Sequence, residues 1–339
     1  MQLLADGPVI CAEGYLFEFE RRGYLQAGAF VPEIVLEHPE MVAGLHREFV
    51  HAGSDVVQAF TYYGHREKLR IIGKEDLLEP LNRNALEIAR GVADESGALL
   101  AGDICNTNLF EPGAASRGAI RAMFEEQVAW AADAGVDFIV GETFSYGEEA
   151  LIALEVIKAS GLPSVMTVAL HQTPVTREGW TPEEACRRLA DAGADVVGLN
   201  CSRGPRTMLP LVARARQAVD THVAALPVPY RTTEAEQSFQ SLRDPSCDSI
   251  PDGIPFPTAL DPFLCNRYEV AEFAREAFSL DIRYLGLCCG GAPHFIRSMA
   301  EALGRTPPAS RYSPDMSKHA YMGTDERLLQ HNRDYAARM

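Results

Sequence analysis

The sequence predicts an α/β protein whose eight parallel strands alternate with helices and close into a (β/α)8 barrel of the TIM type, with a short C-terminal extension. Three observations carry this reading. One phrase recurs as His51-Ala52-Gly53-Ser54-Asp55, Asp133-Ala134-Gly135-Val136-Asp137 and Asp191-Ala192-Gly193-Ala194-Asp195. Each copy follows an amphipathic stretch and precedes an apolar, β-branched run, as expected of a helix stopped by glycine and leading into a buried strand. Apolar runs of strand length occur eight times, most of them separated by helical patterns. That alternation calls for a parallel sheet. Finally, the residues with chemistry to offer fall just after strand ends, where a barrel keeps its active site. A doubly wound open sheet is the competing arrangement.

The elements follow in order. A strand is expected over 8–12 with Glu13 behind it, and a second over 55–61 leading into Tyr62-Tyr63. Strand three covers 98–103. A helix over 117–134 feeds strand four, 137–142, which ends on Glu142-Thr143. Helix 147–160 leads to strand five at 164–169, and helix 181–192 to strand six at 195–200, which runs into Asn200-Cys201. Strand seven is 222–227. Residues 230–258, rich in proline and acidic residues and without periodicity, read as a long loop over the barrel mouth. Helix 267–277 precedes strand eight, 282–287, with Cys288-Cys289 behind it. The pattern stops beyond about residue 303. Residues 1–305 are therefore read as one barrel domain, and 306–339 as a polar extension lying on the barrel exterior or on a neighbouring copy.

With 339 residues, 47% of them hydrophobic and 23% charged, the chain suits a globular barrel. Its net charge of −16 repels nucleic acid and anionic membranes, so neither is expected as a partner. No stretch approaches the roughly 20 apolar residues of a membrane span. The N-terminus carries no basic region ahead of an apolar one, so no signal peptide is expected and the cytoplasm is the expected location. In that setting the eight cysteines are expected to be reduced thiols, some of them metal ligands.

Two cysteine segments stand out. Leu287-Cys288-Cys289-Gly290-Gly291 ends an apolar strand in a vicinal pair. Neighbouring side chains in a strand point to opposite faces, so both sulfurs can turn to one point only where the glycines break the strand. Gly198-Leu199-Asn200-Cys201-Ser202 likewise ends a strand in a cysteine and a turn. Thiolates of Cys201, Cys288 and Cys289 converging from two strand ends make a zinc site with its fourth position open, the arrangement of a catalytic zinc. Such a site is suited to activating an incoming thiol. Three inert core cysteines are the bland alternative. That reading suits Cys186, on an amphipathic helix, and Cys11, Cys105, Cys247 and Cys265 lack a comparable setting.

These segments carry a resemblance. Arg21-Arg22-Gly23-Tyr24, Glu37-His38-Pro39-Glu40, Leu45-His46-Arg47-Glu48-Phe49, Gly198-Leu199-Asn200-Cys201 and Leu287-Cys288-Cys289-Gly290 with Pro293-His294-Phe295 resemble the betaine–homocysteine branch of the homocysteine S-methyltransferases, in order over roughly residues 8 to 305. The resemblance implies a Zn2+-dependent barrel that moves a methyl group from an onium donor to homocysteine. It maps the zinc ligands onto Cys201, Cys288 and Cys289, and homocysteine binding onto Glu142 with Asn200. The family's Asp-Gly pair after strand one falls on Ala12-Glu13, a departure. Glu13 either replaces that aspartate or faces elsewhere. The resemblance also implies a homo-oligomer built through the C-terminal extension.

The donor's cation would be held by aromatic faces. The family's three aromatic positions fall on Phe30, Tyr63 and Thr143, so one wall is lost. Tyr62, Tyr15, Phe144 and Tyr230 are candidates to replace it, core or lid packing being their other possible role. Glycine betaine is the expected donor, giving methionine and dimethylglycine. A sulfonium such as S-methylmethionine or dimethylsulfoniopropionate is the alternative, because Glu142-Thr143 resembles the sulfonium-using branch. More remote rivals are a zinc hydrolase, for which no His-x-His pair follows strand one, and a thiol redox protein, which leaves the Asn200-Cys201 turn unexplained.

Overall fold

The computed structural model describes residues 2–113 and 116–339, without the side chain of Gln2. Eight parallel strands close into a barrel in sequence order: β1 Val9–Ala12, β2 Val56–Gln58, β3 Leu99–Cys105, β4 Phe138–Phe144, β5 Ser164–Val168, β6 Val196–Asn200, β7 His222–Leu226 and β8 Tyr284–Leu287. Closure is made by β1 on β8, with Val9 opposite Tyr284 and Ala12 opposite Leu287. The barrel, rather than the open sheet, is the outcome.

The recurring glycines behave as their sequence context predicts. Gly53, Gly135 and Gly193 all adopt left-handed backbone at φ 113°, 72° and 93°, each ending a helix before a strand. Strand two is shorter than expected. Past Gln58 the chain turns inward, with the Thr61 N–H donating to the Ala59 carbonyl, so residues 59–61 belong to the mouth. The extension is not wholly irregular either: it holds a short helix, Gln330–Ala336.

Period-2 alternation sorts the strand residues into two cores. Outward side chains pack under the surrounding helices. Inward ones build the barrel interior, which is apolar at its base: Val9, Cys11, Val56, Ala101, Phe138, Val140, Val165, Val196, Ala224 and Tyr284. The same inward rows continue one step toward the C-terminal ends and turn polar. Two residues beyond Cys11, Val56, Ala101, Val140, Val165 and Tyr284's row stand Glu13, Gln58, Asp103, Glu142, Thr167 and, after Gly286, Cys288. Asn200 is the matching residue of β6. All of these are buried. The site is therefore the top layer of the barrel's own core.

Candidate active site

Two cavities open at the C-terminal ends of the strands. The larger, about 230 Å³, is lined by the aromatic residues Phe17, Phe30, Tyr62, Tyr63, Phe239 and Phe256. Asn106, Asn108, Thr143, Ser145, His171, Arg177 and Gln240 add polar groups to the lining. The smaller, about 20 Å³, is lined by Glu13, Gln58, Asp103 and Glu142 together with Tyr15, Phe60 and Cys288. Leu16, Tyr62 and Cys289 border both, so the cavities meet at a sulfur.

That junction holds the three predicted cysteines. The sulfurs of Cys201 and Cys289 lie 3.8 Å apart, those of Cys288 and Cys289 3.9 Å, and all three fall within 4.8 Å of one another. A tetrahedral ion with metal–sulfur bonds of about 2.3 Å requires sulfurs spaced by about 3.8 Å. The donor set thus fits a four-coordinate metal with one position left for a ligand. The nearby thiols of Cys288 and Cys289 hold the pKa of Cys201 well below the ordinary thiol value, while their own are raised. Cys201 reaches this point through a left-handed backbone, φ 56°, and Cys288-Cys289 turn on Gly290 at φ 91°.

Glu142 is held by three donors. Gln58 Nε2 donates to one oxygen at 3.0 Å, and Asn200 Nδ2 and Thr143 Oγ1 donate to the other at 2.7 and 2.9 Å. Burial nevertheless pushes its pKa up to about 7. Asn200 lines neither cavity. Its amide oxygen accepts from the Thr143 N–H and from Thr167 Oγ1, both at 2.9 Å, so it acts through Glu142 and Thr143. Glu13 faces the cavity: Glu13, Glu142 and Cys288 bring ligand atoms within 4.8 Å of one another. Its pKa is raised well above the usual range, by burial first and then by Glu142 and Asp103.

The aromatic predictions divide. Phe30, Tyr63 and Thr143 line the large cavity, and Tyr62 borders both. Tyr230 lies elsewhere. Its ring stacks on Phe239, its hydroxyl accepts from Arg21 at 3.2 Å, and a β-bridge to Leu264 draws it into the interior. Phe144 packs against Phe124 in the barrel wall. Tyr15 borders the small cavity, its hydroxyl 3.1 Å from His46 Nδ1.

Several lining residues escaped the sequence reading. Gln58 and Asp103 interrupt apolar strands with a polar residue, a signal that was there to be used. Phe239 and Phe256 come from the long loop, whose lack of periodicity hides the direction of any one side chain. His171 bridges Ser145 at 3.0 Å and Ser202 at 3.1 Å. Its loop is held by buried Arg203, which donates to the carbonyls of Leu170 and Gln172. A further regularity concerns the backbone. Six residues lining the large cavity, Phe30, Tyr63, Asn108, Thr143, Cys201 and Ser202, have φ between 53° and 61°. Among the described residues only two other non-glycines, Asp252 and Asp281, share this conformation.

Sequence comparison supplies the identity. The chain matches the family described as Homocysteine S-methyltransferase over residues 14–303. It belongs to that family. Among its relatives, betaine–homocysteine S-methyltransferase 1 of Danio rerio is 36% identical over 96% of this chain and 80% of its own length. The Xenopus tropicalis protein of the same name is 35% identical over 96% and 79%. These place the chain in the betaine–homocysteine branch. An S-methylmethionine–homocysteine S-methyltransferase of Pongo abelii is 34% identical over 91% and 84%. The homocysteine S-methyltransferase fold is matched in a crystal structure of the metallated homocysteine methyltransferase of Escherichia coli, with TM-score 0.67, 16% identity, and coverage of 88% of this chain and 98% of that one. This S-methyltransferase thus carries its three convergent thiols at the mouth of a barrel shared with the family. No helix among the described residues is long and apolar enough to cross a membrane.

Proposed function

We propose that the chain transfers a methyl group from glycine betaine to the sulfur of homocysteine, giving methionine and dimethylglycine, with Zn2+ held by Cys201, Cys288 and Cys289. One observation carries this reading: the three sulfurs sit where a carboxyl-lined cavity meets an aromatic-lined one. When bound, Zn2+ supplies a site that keeps the substrate sulfur as a thiolate at neutral pH.

The residues do the rest. Glu142 and Glu13 hold the amino end of homocysteine, and Asn200, Gln58 and Thr143 fix Glu142 in place. This orients the substrate sulfur toward the larger cavity. There Phe30, Tyr63 and Tyr62 present ring faces to the donor's cationic head, each contact contributing roughly 0.5–2 kcal/mol. A new carbon–sulfur bond forms as the carbon–nitrogen bond breaks, and the electron pair leaves with a neutral amine. That leaving group needs no proton, so the transfer itself needs no general base. The remaining task is alignment, with sulfur and methyl carbon brought to about 3–3.5 Å in line. Phe239 and Phe256, from the 230–258 loop, cover the cavity and exclude water.

A sulfonium donor is the second reading. Thr143 stands where a third aromatic wall is expected, and the relative named for S-methylmethionine is nearly as similar as those named for betaine. The test offers zinc-loaded protein homocysteine with glycine betaine, S-methylmethionine or dimethylsulfoniopropionate and measures methionine by mass spectrometry. Methionine from betaine is expected. Turnover confined to a sulfonium overturns the donor, and none from any onium overturns the reaction.

We further assign the barrel to residues 1–305 and oligomer contacts to 306–339. In support, Tyr312, Met316, Tyr321, Met322, Leu329 and Tyr335 of that extension are exposed apolar side chains. The free cysteines suit the reducing cytoplasm, where we place the enzyme.

A further inference from the structure

We propose that Asp103 is a substrate-binding residue: with Glu13 and Glu142 it forms a three-carboxyl socket for the α-ammonium group of the thiol substrate. The inference rests on the methyl-transfer reading above and adds a residue to it.

Asp103 stands on β3, one inward position above Ala101, and is 4% exposed. Its Oδ1 atom has no hydrogen-bond partner, and neither has either carboxyl oxygen of Glu13, itself 8% exposed. Buried carboxyl oxygens without partners are costly and mark a missing group. They face a cavity of about 20 Å³, shared with Glu142, which has room for one water-sized group. An ammonium head has that size, offers three N–H donors, and brings the positive charge the socket lacks. The three carboxyls come from the C-terminal ends of β1, β3 and β4 and line one cavity. An ammonium head favours the ionised form of these carboxyls, whereas a carboxylate would bring a like charge to a site that already resists ionisation. The socket therefore also sets the direction in which an amino acid lies: ammonium inward, carboxylate toward the mouth, and sulfur at the cysteines.

The discriminating experiment compares homocysteine with 4-mercaptobutanoate, which keeps the thiol and the carboxylate but lacks the amine. Wild-type protein should prefer homocysteine. In Asp103→Asn the ratio of kcat/KM values for the two thiols should fall about tenfold, the loss of one charge-assisted hydrogen bond. Donor KM and bound zinc should stay unchanged. An equal loss on both thiols, or an unaltered ratio, overturns the proposal. Should Asp103→Asn not fold, judged by circular dichroism and thermal midpoint, the smaller Asp103→Ser carries the same expectation. If wild-type protein methylates neither thiol, the methyl-transfer reading fails, an outcome distinct from a failure of Asp103.

Discussion

The two cavities differ in how they are built, and the difference shows what each can recognise. The small one is the top layer of the barrel core: its polar groups stand on strands, at fixed steps above an apolar base. The large one is assembled mostly from turns and from the 230–258 loop, and it sets aromatic rings beside polar side chains. The first is suited to a charged head with hydrogen-bond donors, the second to a cation that has none. Between them stand the sulfurs. A strand-borne socket discriminates strictly because unmet buried groups are expensive. A loop-borne aromatic cage tolerates variation because each ring contributes little by itself.

The largest effect that would break this division lies at the junction. Cys289→Ser should lower bound zinc to well under about 0.1 per chain and reduce methyl transfer by at least roughly a thousandfold, since all three sulfurs are needed for the metal. Metal analysis beside an activity assay reads both. A variant that keeps zinc and turnover would remove the sulfurs from the centre of the site.

A smaller effect separates the two walls. Phe30→Ala takes one ring from the donor cavity, and donor KM should rise about fivefold while homocysteine KM stays constant. Steady-state kinetics with each substrate varied in turn checks this. A rise in both constants would mean that the cavities are not independent.

The smallest effect is a slope in stability. Glu142 titrates near 7 in the folded chain against 4.5 for an ordinary glutamate. Between those values the folded state binds more protons than the unfolded one. The stabilising contribution is therefore full below 4.5 and is lost as pH rises through 7. Metal-free wild-type protein should lose more thermal stability than Glu142→Gln between about pH 5 and about pH 8. Buried His46 and His65, whose pKa values are depressed by burial to about 3 and about 4, pull the opposite way. They do so in both proteins, so the difference in Tm reports Glu142 together with Glu13 and Asp103, whose pKa values it helps to raise. Parallel curves would show that its charge is already compensated.

Legibility in the sequence followed the same division. The barrel could be read because glycine stops and apolar runs repeat, and repetition averages out local ambiguity. The cysteines could be read because a vicinal pair before two glycines has few ordinary uses. Gln58 and Asp103 are hard to see because each sits inside an otherwise apolar run, although a lone polar residue near the end of a buried strand is itself a signal. The fate of Tyr230 could not be read at all. Whether an aromatic residue at the start of a long loop faces the cavity or the core depends on a distant bridge to Leu264 and a hydrogen bond from Arg21.

The left-handed backbone at Phe30, Tyr63, Asn108, Thr143, Cys201 and Ser202 has a consequence beyond the shape of the cavity. Apart from Asn108, whose residue type tolerates this conformation, each costs on the order of 1–3 kcal/mol that the rest of the barrel must offset. The least comfortable stretches of chain thus coincide with its working surface. Anyone seeking a hardier version of this protein would find ready gains there, by installing glycine or asparagine. Those same replacements would strip away the cage and the cysteine turn. Robustness and turnover compete here residue by residue, and a lineage kept only for survival in heat would blunt its own mouth first.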